Sequence, residues 1–416
     1  MRVENCQVCR GRQLYPVLDL GCTALANAFV KPNEPKRPEL KFPLRLVYCG
    51  ECGLIQIDEH VRPEVLFENY IYVSGTSDLI HAHAASLASR LIIPNGLGAG
   101  DLVVEAASND GTVLKALQKH GVRTLGIDPA ENIALRATRA GVETHCAYFN
   151  RQSAGEIRDR YGPAKLVLAR HVLAHVADLD GFVQGFVELL DRDGLGVIEV
   201  PYLRRFHDKL AFDTIYHEHL CYFSLRVLDT LFQRFSLEVI DAWEVAIHGG
   251  SIVVTVQRRG GLRAPTPRVR QLLDQEELAS LHRLETWHAF ADRVAASKSR
   301  LLAVLDRLRA QGSAVAGYGA PAKGMTMLAY CGIGPEQLPY LVDKSPFKQG
   351  LLTPGHHIPV HAPEKISQDR PDVLLLLAWN FADEIVKQQA DFQRRGGRFL
   401  LPLPLAHYWK ETTLAA

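Results

Sequence analysis

A chain of 416 residues is long enough for two or three domains, and its composition, 47% hydrophobic and 22% charged, is that of a globular protein. The formal net charge of +1 gives no electrostatic reason to expect binding to nucleic acid or to a membrane surface. There is no apolar run of about 18 residues and no apolar signal-peptide core, so a cytoplasmic protein without a transmembrane helix is expected. In the cytosol the eight cysteines stay reduced and are metal ligands, reactive groups or core residues.

Two Cys-x-x-Cys pairs stand out in the first 60 residues, Cys6 with Cys9 and Cys49 with Cys52, each beside a glycine turn. Four thiolates at this spacing can reach one ion with the tetrahedral geometry that zinc prefers. Because four cysteines leave no open coordination position, the zinc is expected to be structural and to stabilise a module too small for its own core. The alternative, two unrelated pairs of thiols, stays open. Cys22 lies outside the pattern and is expected in the core.

A tyrosine-containing segment follows at residues 67–77, where Tyr70 and Tyr72 share one face of an extended chain. The purely structural interpretation of this pair is aromatic packing at an interface between domains. The loop at residues 74–77 can cap a helix from Asp78 to about Leu91, and we place the first domain boundary here.

Residues 102–128 predict a strand, an acidic turn, a helix and a second strand. The first strand is Leu102–Ala106, the turn is Asn109-Asp110-Gly111, the helix covers residues 112–120, and the second strand ends at Asp128. Nucleoside ligands bind at the carboxyl ends of such strands, and an acidic residue about 20 positions after the turn can accept from both ribose hydroxyls. With a single glycine, the turn is not suited to cradle a pyrophosphate. A structural unit without ligand remains the alternative.

The pattern of strand and helix continues through residues 129–200. A helix to residue 140, a strand at 142–146, a central strand at 166–169, a helix at 179–190 and a strand at 195–200 predict a mainly parallel sheet. Residues 170–175 leave the carboxyl end of the central strand and face the site.

Residues 214–224 form the second stretch that is rich in side chains able to act as acids, bases or metal ligands. Its histidines, His217 and His219, are two positions apart, which does not match the spacing of a helical zinc site. A structural loop is a second interpretation. We favour an acid–base cluster, because histidine titrates near neutral pH and a neighbouring carboxylate can fix its tautomer.

The remaining chain predicts helices over residues 265–311, with Leu278 among the apolar packing positions, and then a second nucleotide-type sheet. Its strands are expected at residues 313–317, 338–342, 372–377 and 398–401. Gly317-x-Gly319-x-x-Ala322, with Asp343 about 20 residues on, imitates a dinucleotide fingerprint, so an NAD(P)-dependent oxidoreductase is the rival hypothesis. Lys323 at the helix N-terminus, with Lys344 and Lys348 near the next loop, suits a diphosphate.

Taken together, these motifs resemble the sugar C-methyltransferases that act at C-3′ of nucleotide-linked 4-keto deoxysugars in antibiotic biosynthesis. The resemblance covers nearly the whole chain and rests on the cysteine pairs and on seven further segments: residues 70–77, 108–111, 170–175, 216–224, 248–251, 317–324 and 376–380. It implies an α/β fold with a small zinc-binding module at residues 1–75. A class I methyltransferase domain with a Rossmann-like sheet follows at 76–260. A helical linker and a second, C-terminal Rossmann-like domain at 261–416 would hold the sugar nucleotide.

The resemblance also implies the site residues. S-adenosylmethionine would be bound by Glu105, Ala107, Asn109, Asp110, Gly111, Asp128, Pro129 and Phe149, with Ala107 in place of the family's glycine and Phe149 stacked on the adenine. The catalytic set would be His219, Tyr216, Glu218, His175 and Tyr70. The sugar nucleotide would contact Gly319, Ala320, Lys323, Gly324, Asp343 and Lys348.

The chemistry expected of this set is enolate formation followed by methyl transfer. His219, oriented by Glu218, would remove the C-3′ proton, and Tyr216 or His175 would donate to the enolate oxygen. A third hypothesis, motivated by Ala107, is a zinc-containing binding protein that has lost activity.

Overall fold

The computed structural model describes residues 2–32, 39–62, 65–66 and 78–410, and it is an α/β structure built around three sheets. Tyr70 and Tyr72, with the boundary placed beside them, lie outside the described residues. Within the described residues, no helix combines the length and the apolarity that crossing a bilayer would need.

The N-terminal sheet is antiparallel and contains one strand from much later in the chain. Its strands, in spatial order, are β1 (Leu14–Ala24), β2 (Lys41–Cys49), β3 (Ile55–Ile57) and β9 (Cys221–Tyr222). The pairing of Ile55 with Tyr222 and of Gln56 with Cys221 fastens the segment at 214–224 to the N-terminal module. Cys22, expected in the core, is exposed on β1, because that end of the strand lies at the sheet's edge.

The central sheet has seven strands in the spatial order β10-β11-β8-β7-β4-β5-β6. Their bounds are β4 (Leu102–Ala106), β5 (Arg123–Ile127), β6 (Thr144–His145), β7 (Ala164–Arg170), β8 (Leu190–Pro201), β10 (Leu237–Val245) and β11 (Ser251–Arg258). Strands β4 to β8 are parallel, and β11 runs antiparallel between β8 and β10, which is the class I methyltransferase arrangement. The strand order reverses between β4 and β7, and ligands of open α/β sheets bind outside the carboxyl ends at such a point.

Helices cover both faces of the central sheet. They are α1 (Asp78–Asn95), α2 (Thr112–Gln118), α3 (Glu131–Arg139), α4 (Arg151–Tyr161), α5 (Leu179–Leu189), α6 (Leu203–Asp208) and α7 (Leu225–Gln233). Side-chain caps begin three of them: Asn150 accepts from the Ser153 backbone N–H at 3.0 Å, Asp178 from the Gly181 backbone N–H at 3.0 Å, and Ser224 from the Val227 backbone N–H at 3.2 Å. These caps place the segments that leave the carboxyl ends of the strands.

The C-terminal sheet is parallel except for its last strand, in the order β14-β13-β12-β15-β16-β17. Its strands are β12 (Val315–Tyr318), β13 (Leu341–Val342), β14 (Val360–His361), β15 (Val373–Leu376), β16 (Arg398–Leu401) and β17 (His407–Tyr408). The helices of this half are α8 (Pro267–Leu278), α9 (Leu284–Ala310), α10 (Ala322–Cys331), α11 (Lys365–Asp369), α12 (Ala382–Gln388) and α13 (Ala390–Arg394). Helix α9 buries one face, but Leu278 ends α8 with 86% of its surface exposed, so its predicted packing role was wrong.

The turn after β4 carries backbone strain at Ala107. The φ angle is +52° at Ala107, +51° at Asn109 and +74° at Gly111. An L-residue pays roughly 1–2 kcal/mol in this left-handed region, and asparagine tolerates it better than alanine does. The methyl group of Ala107 therefore occupies a position at which glycine would be unstrained.

Replacing Ala107 with glycine is expected to raise the free energy of unfolding by about 0.5–1 kcal/mol, because relief of the strain exceeds the entropy cost of glycine. Urea unfolding of the wild type and of Ala107→Gly measures this difference. Gly111→Ala is the matched control in the same turn. Its Cβ would lie 2.8 Å from Val142 Cγ2 at φ +74°, so it should lose more than about 1 kcal/mol. A less stable Ala107→Gly protein would contradict the assignment of strain.

Candidate active site

The four predicted metal ligands converge in the N-terminal module. Cys6 Sγ lies 3.5 Å from Cys52 Sγ, Cys9 Sγ lies 3.5 Å from Cys49 Sγ, and all four sulfur atoms lie within 4.8 Å of one another. A tetrahedral zinc ion with Zn–S bonds of about 2.3 Å separates its ligands by roughly 3.8 Å. Backbone N–H groups also point at the sulfur atoms, among them that of Val8 at 3.4 Å from Cys6 Sγ, and such donors stabilise thiolates. The donor set therefore fits zinc.

The turn at the carboxyl end of β4 is held by carboxylates. Asp128, at the end of β5, accepts from the Asn109 backbone N–H at 2.9 Å and from the Ala130 backbone N–H at 3.0 Å, and burial raises its pKa. Asp110 accepts from the Thr112 backbone N–H and hydroxyl, which fixes the start of α2. The structure thus brings Ala107, Asn109, Asp110, Gly111, Asp128 and Pro129 together above β4 and β5.

Two residues predicted to contact the cofactor are buried. Glu105 is buried, and its carboxylate accepts from Arg170 Nε at 2.8 Å. Phe149 is 8% exposed, because its ring packs edge-on against Phe182 and Phe186 at centroid distances of 5.2 and 5.6 Å. Neither side chain is open to a ligand in this arrangement, and the cofactor contacts of Glu105 and Phe149 stay predictions.

No motif in the sequence predicted the buried ionic cluster that lies near the carboxyl ends of β7 and β8. Glu199 is 0% exposed, and its carboxylate oxygens bind His83 Nε2 at 2.9 Å and His171 Nε2 at 3.0 Å. Burial works to raise the pKa of Glu199, but His171, His83 and Arg170 hold it well below its usual value. The signal in the sequence was a lone carboxylate inside the apolar run at residues 195–200, since a buried charge needs partners.

His219 is the centre of the loop between α6 and β9. Its Nδ1 is 2.8 Å from the Thr214 carbonyl oxygen, and its Nε2 is 2.8 Å from the Tyr216 hydroxyl. Because a carbonyl only accepts, Nδ1 carries the proton, and Nε2 accepts from the phenol. Burial, with His175 beside it, holds the pKa of His219 well below its usual value, so the ring is neutral at pH 7. The ring centroids of His175 and His219 are 4.8 Å apart.

Glu218 does not orient His219, and this part of the prediction was wrong. Its carboxylate accepts from Asn27 Nδ2 at 2.7 Å and faces Lys348, while the Thr214 carbonyl takes the orienting role. Residues 217 and 218 form a turn, which the His219 backbone N–H closes by donating to the Tyr216 carbonyl at 2.9 Å, so adjacency in the sequence did not bring Glu218 to the imidazole.

The loop after β12 gathers most of the predicted substrate residues. Asp343 accepts from the Ala320 backbone N–H at 2.6 Å, and Lys348 Nζ donates to the Ala320 carbonyl at 2.8 Å. Gly319 has φ +88°, and a Cβ on Gly324 would meet Leu377 Cβ at 3.0 Å, so both positions favour glycine.

Lys323 faces away from that loop. Its Nζ lies 4.0 Å above the Trp379 ring and donates to Asn380 Oδ1, and burial lowers the pKa of Lys323 to about 8. In this arrangement the ammonium group is engaged by Trp379 and Asn380, and its contact with a diphosphate stays a prediction.

Three family models match the sequence: a zinc-binding domain over residues 6–67, a methyltransferase domain over residues 80–242 and a C-methyltransferase C-terminal domain over residues 246–404. The C-methyltransferase NovU of Streptomyces niveus is 38% identical over 402 residues, which is 97% of this chain and 96% of that protein. The chain belongs to this family of C-methyltransferases.

Solved structures similar to this C-methyltransferase are remote. Magnesium protoporphyrin IX methyltransferase from Synechocystis, with bound S-adenosylmethionine, is 12% identical, with a TM-score of 0.33 over 43% of this chain and 79% of that one. The PH0226 protein of Pyrococcus horikoshii is 12% identical, with a TM-score of 0.36 over 46% of this chain and 98% of that one. At such low scores we draw nothing from them about substrate or mechanism.

This C-methyltransferase therefore uses S-adenosylmethionine and holds zinc in its N-terminal module. This assignment replaces the two other hypotheses, an NAD(P)-dependent oxidoreductase and an inactive zinc-containing binding protein. The domain boundaries near residues 75 and 260 and the roles of individual site residues stay predictions.

The metal content of the purified C-methyltransferase should be about one zinc ion per chain, and Cys49→Ser should lose the zinc and melt at a lower temperature, because one of four thiolate ligands is removed. Metal analysis and thermal unfolding measure both effects. Cys22→Ser, at an exposed cysteine outside the cluster, is the control and should keep its zinc. A zinc content unchanged in Cys49→Ser would contradict the site.

Buried imidazoles should make stability fall in mild acid. Burial lowers the pKa of His175 to about 4 and that of His248 to about 3. In the unfolded chain both rings take up protons near pH 6.5, whereas the folded protein resists until about pH 4 or 3. Each ring therefore costs up to about 1.4 kcal/mol of stability for each pH unit below 6.5.

Urea unfolding at pH 7.5, 6.5 and 5.5 tests this expectation. The test compares how steeply the free energy of unfolding changes with pH in the wild type and in a variant, because carboxyl groups with raised pKa change that free energy in the opposite sense in both proteins. His248→Gln should lose less stability between pH 6.5 and 5.5 than the wild type does, by about 1 kcal/mol. Equal slopes in wild type and His248→Gln would contradict the burial of a neutral ring.

Proposed function

We propose that this C-methyltransferase transfers a methyl group to C-3′ of a nucleotide-linked 4-keto deoxysugar, with His219 as the general base. The observation that carries the proposal is the state of His219, a buried neutral imidazole whose proton is committed to the Thr214 carbonyl. Its Nε2 is then the basic atom, and among the described residues the partner of that lone pair is the Tyr216 hydroxyl. The relation to NovU and the resemblance to sugar C-methyltransferases support a sugar-linked substrate.

The C-4′ ketone of such a substrate acidifies the neighbouring C-3′ hydrogen, so an imidazole can remove it. On substrate entry the Tyr216 hydroxyl turns from His219 Nε2 to the C-4′ oxygen, which frees Nε2 and supplies a donor to the developing enolate. S-adenosylmethionine supplies the methyl carbon that the C-3′ carbanion attacks. The burial of the loop excludes water, which would otherwise reprotonate the enolate.

His175 takes an accepting role in this proposal rather than the donating one considered from the sequence. One ring nitrogen is hydrogen-bonded to the Glu218 backbone, whose carbonyl only accepts. Nδ1 is buried and has no hydrogen-bond partner among the described residues. In a neutral ring Nδ1 is then the unprotonated nitrogen, which suits a sugar hydroxyl or amine as donor.

The decisive experiment incubates the protein with S-adenosylmethionine and a panel of nucleotide 4-ketosugars and detects methylated product by mass spectrometry. His219→Ala should bind S-adenosylmethionine as the wild type does but lose at least about 100-fold in turnover, as expected for a general base. His217→Gln is the matched control. The His217 imidazole lies 3.3 and 3.2 Å from the Phe42 and Pro43 carbonyl oxygens of the N-terminal module and packs edge-on against the Phe42 ring, and a glutamine amide can donate to the same oxygens.

Solvent exchange separates proton removal from methyl transfer. With S-adenosylhomocysteine in place of the methyl donor, the wild type should exchange the C-3′ hydrogen with deuterium from D2O, and His219→Ala should not. Retained exchange in His219→Ala would exclude His219 as the base. Methylation of none of the ketosugars, by a protein that binds S-adenosylmethionine, would reject the substrate class.

A further inference from the structure

The turn that precedes the catalytic loop is held by the C-terminal domain. Trp379 Nε1 donates to Asp213 Oδ2 at 2.6 Å, and the Thr326 hydroxyl donates to the Ile215 carbonyl at 2.9 Å. Asp213 lies in the 3-10 turn Phe212–Thr214, which three residues separate from the end of α6. Two side chains of the C-terminal domain thus hold Asp213 and Ile215, immediately before Tyr216.

Asp213 is an unusual residue to find in this turn, because it is 0% exposed and its Oδ1 has no hydrogen-bond partner among the described residues. A buried carboxylate is costly unless donors compensate it. Besides backbone N–H groups of its own turn, the Trp379 indole is its side-chain donor, with Lys323 as the nearby cation. The hydrogen bond from Trp379 to Asp213 therefore determines the position of the turn.

The same turn ends in the carbonyl that sets the tautomer of His219. The Thr214 carbonyl accepts from His219 Nδ1 at 2.8 Å and from the Tyr222 hydroxyl at 3.2 Å. Since Thr214 follows Asp213 directly, a rotation of the turn would move this oxygen off the imidazole. The ring would then be free to carry its proton on Nε2, which removes the basic lone pair.

Trp379 is also adjacent to the loop on which the nucleotide of the substrate is expected. A Cβ on Gly319 would lie 2.8 Å from Ala378 Cβ, so the loop after β12 packs directly against the residue before Trp379. A conformational change of that loop on nucleotide binding would therefore reach the turn at Asp213 through Ala378 and Trp379.

We propose that Trp379, acting through Asp213, is a positioning residue that keeps the Thr214 carbonyl on His219 Nδ1 and thereby couples the C-terminal domain to the base. The catalytic consequence rests on the proposed function, whereas the effect on the tautomer does not. Among the described residues, Trp379 makes no hydrogen bond to the His219 imidazole, and it works through the turn.

The test compares Trp379→Phe, which keeps an aromatic ring under Lys323 but removes the N–H, with Trp409→Phe. Trp409 is the matched control, because its Nε1 also donates to a carboxylate of the C-terminal domain, Asp383 Oδ1 at 3.1 Å, on the exposed side. Trp379→Phe should lower kcat by roughly 10- to 100-fold, as for a misplaced base, while KM for the nucleotide sugar stays within about twofold. Trp409→Phe should behave as the wild type.

The tautomer is measured without any substrate by 15N NMR of histidine-labelled protein, with the His219 signals assigned by their loss in His219→Ala. Wild type and Trp409→Phe should show Nδ1 protonated and Nε2 unprotonated, and Trp379→Phe should show a mixture. Asp213→Asn should keep the wild-type tautomer signal, because the amide oxygen still accepts from Trp379, whereas Asp213→Ala should show the mixture.

An unchanged His219 tautomer in Trp379→Phe would overturn the proposal, as would an effect on KM alone, which would make Trp379 a substrate contact. A tautomer shift in a protein that methylates no ketosugar would support the positioning role and reject only the proposed substrate. The two failures are therefore distinguishable.

Discussion

One carbonyl oxygen determines what the central imidazole of this protein can do. The Thr214 carbonyl can only accept, so it commits the proton of His219 to Nδ1 and leaves Nε2 with a lone pair. Burial lowers the pKa of the ring and so keeps it neutral, but burial alone does not choose between the two nitrogens. The choice depends on the conformation of a short turn, and the surrounding structure serves to hold that turn and the loop after it.

All three sheets contribute to holding the loop. Strand β9 pairs with β3 of the N-terminal module, the Leu220 backbone N–H donates to the Ala174 carbonyl of the central domain at 2.7 Å, and Trp379 binds Asp213 from the C-terminal domain. Two of the zinc ligands, Cys49 and Cys52, lie at the end of β2 and in the turn before β3, so the metal site adjoins the strand to which the loop is attached. A zinc-binding module is thus a physical part of the active-site scaffold.

Local pattern predicted the strands well and the polar contacts poorly. Strands β4 and β16 have the bounds that apolar runs predicted, and the cysteine spacing found the metal cluster, because both signals depend on neighbouring residues. The partners of Glu218, Lys323 and Glu199 come from elsewhere in the chain, at separations of 191, 57 and 116 residues for their hydrogen bonds to Asn27, Asn380 and His83. No local rule states which way such side chains turn.

Lowering the pKa of a base has a chemical cost that the rest of the site must offset. A histidine with a depressed pKa is always in its basic form at neutral pH, but it binds a proton less strongly, so proton removal becomes less favourable. In the proposed reaction, stabilisation of the enolate oxygen has to make up that deficit. Tyr216 is the donor in reach, and its own hydrogen bond to Nε2 holds it within one hydrogen-bond length of the base before substrate arrives. Base and donor are therefore positioned by a single contact, and whatever moves the Thr214 carbonyl disturbs both.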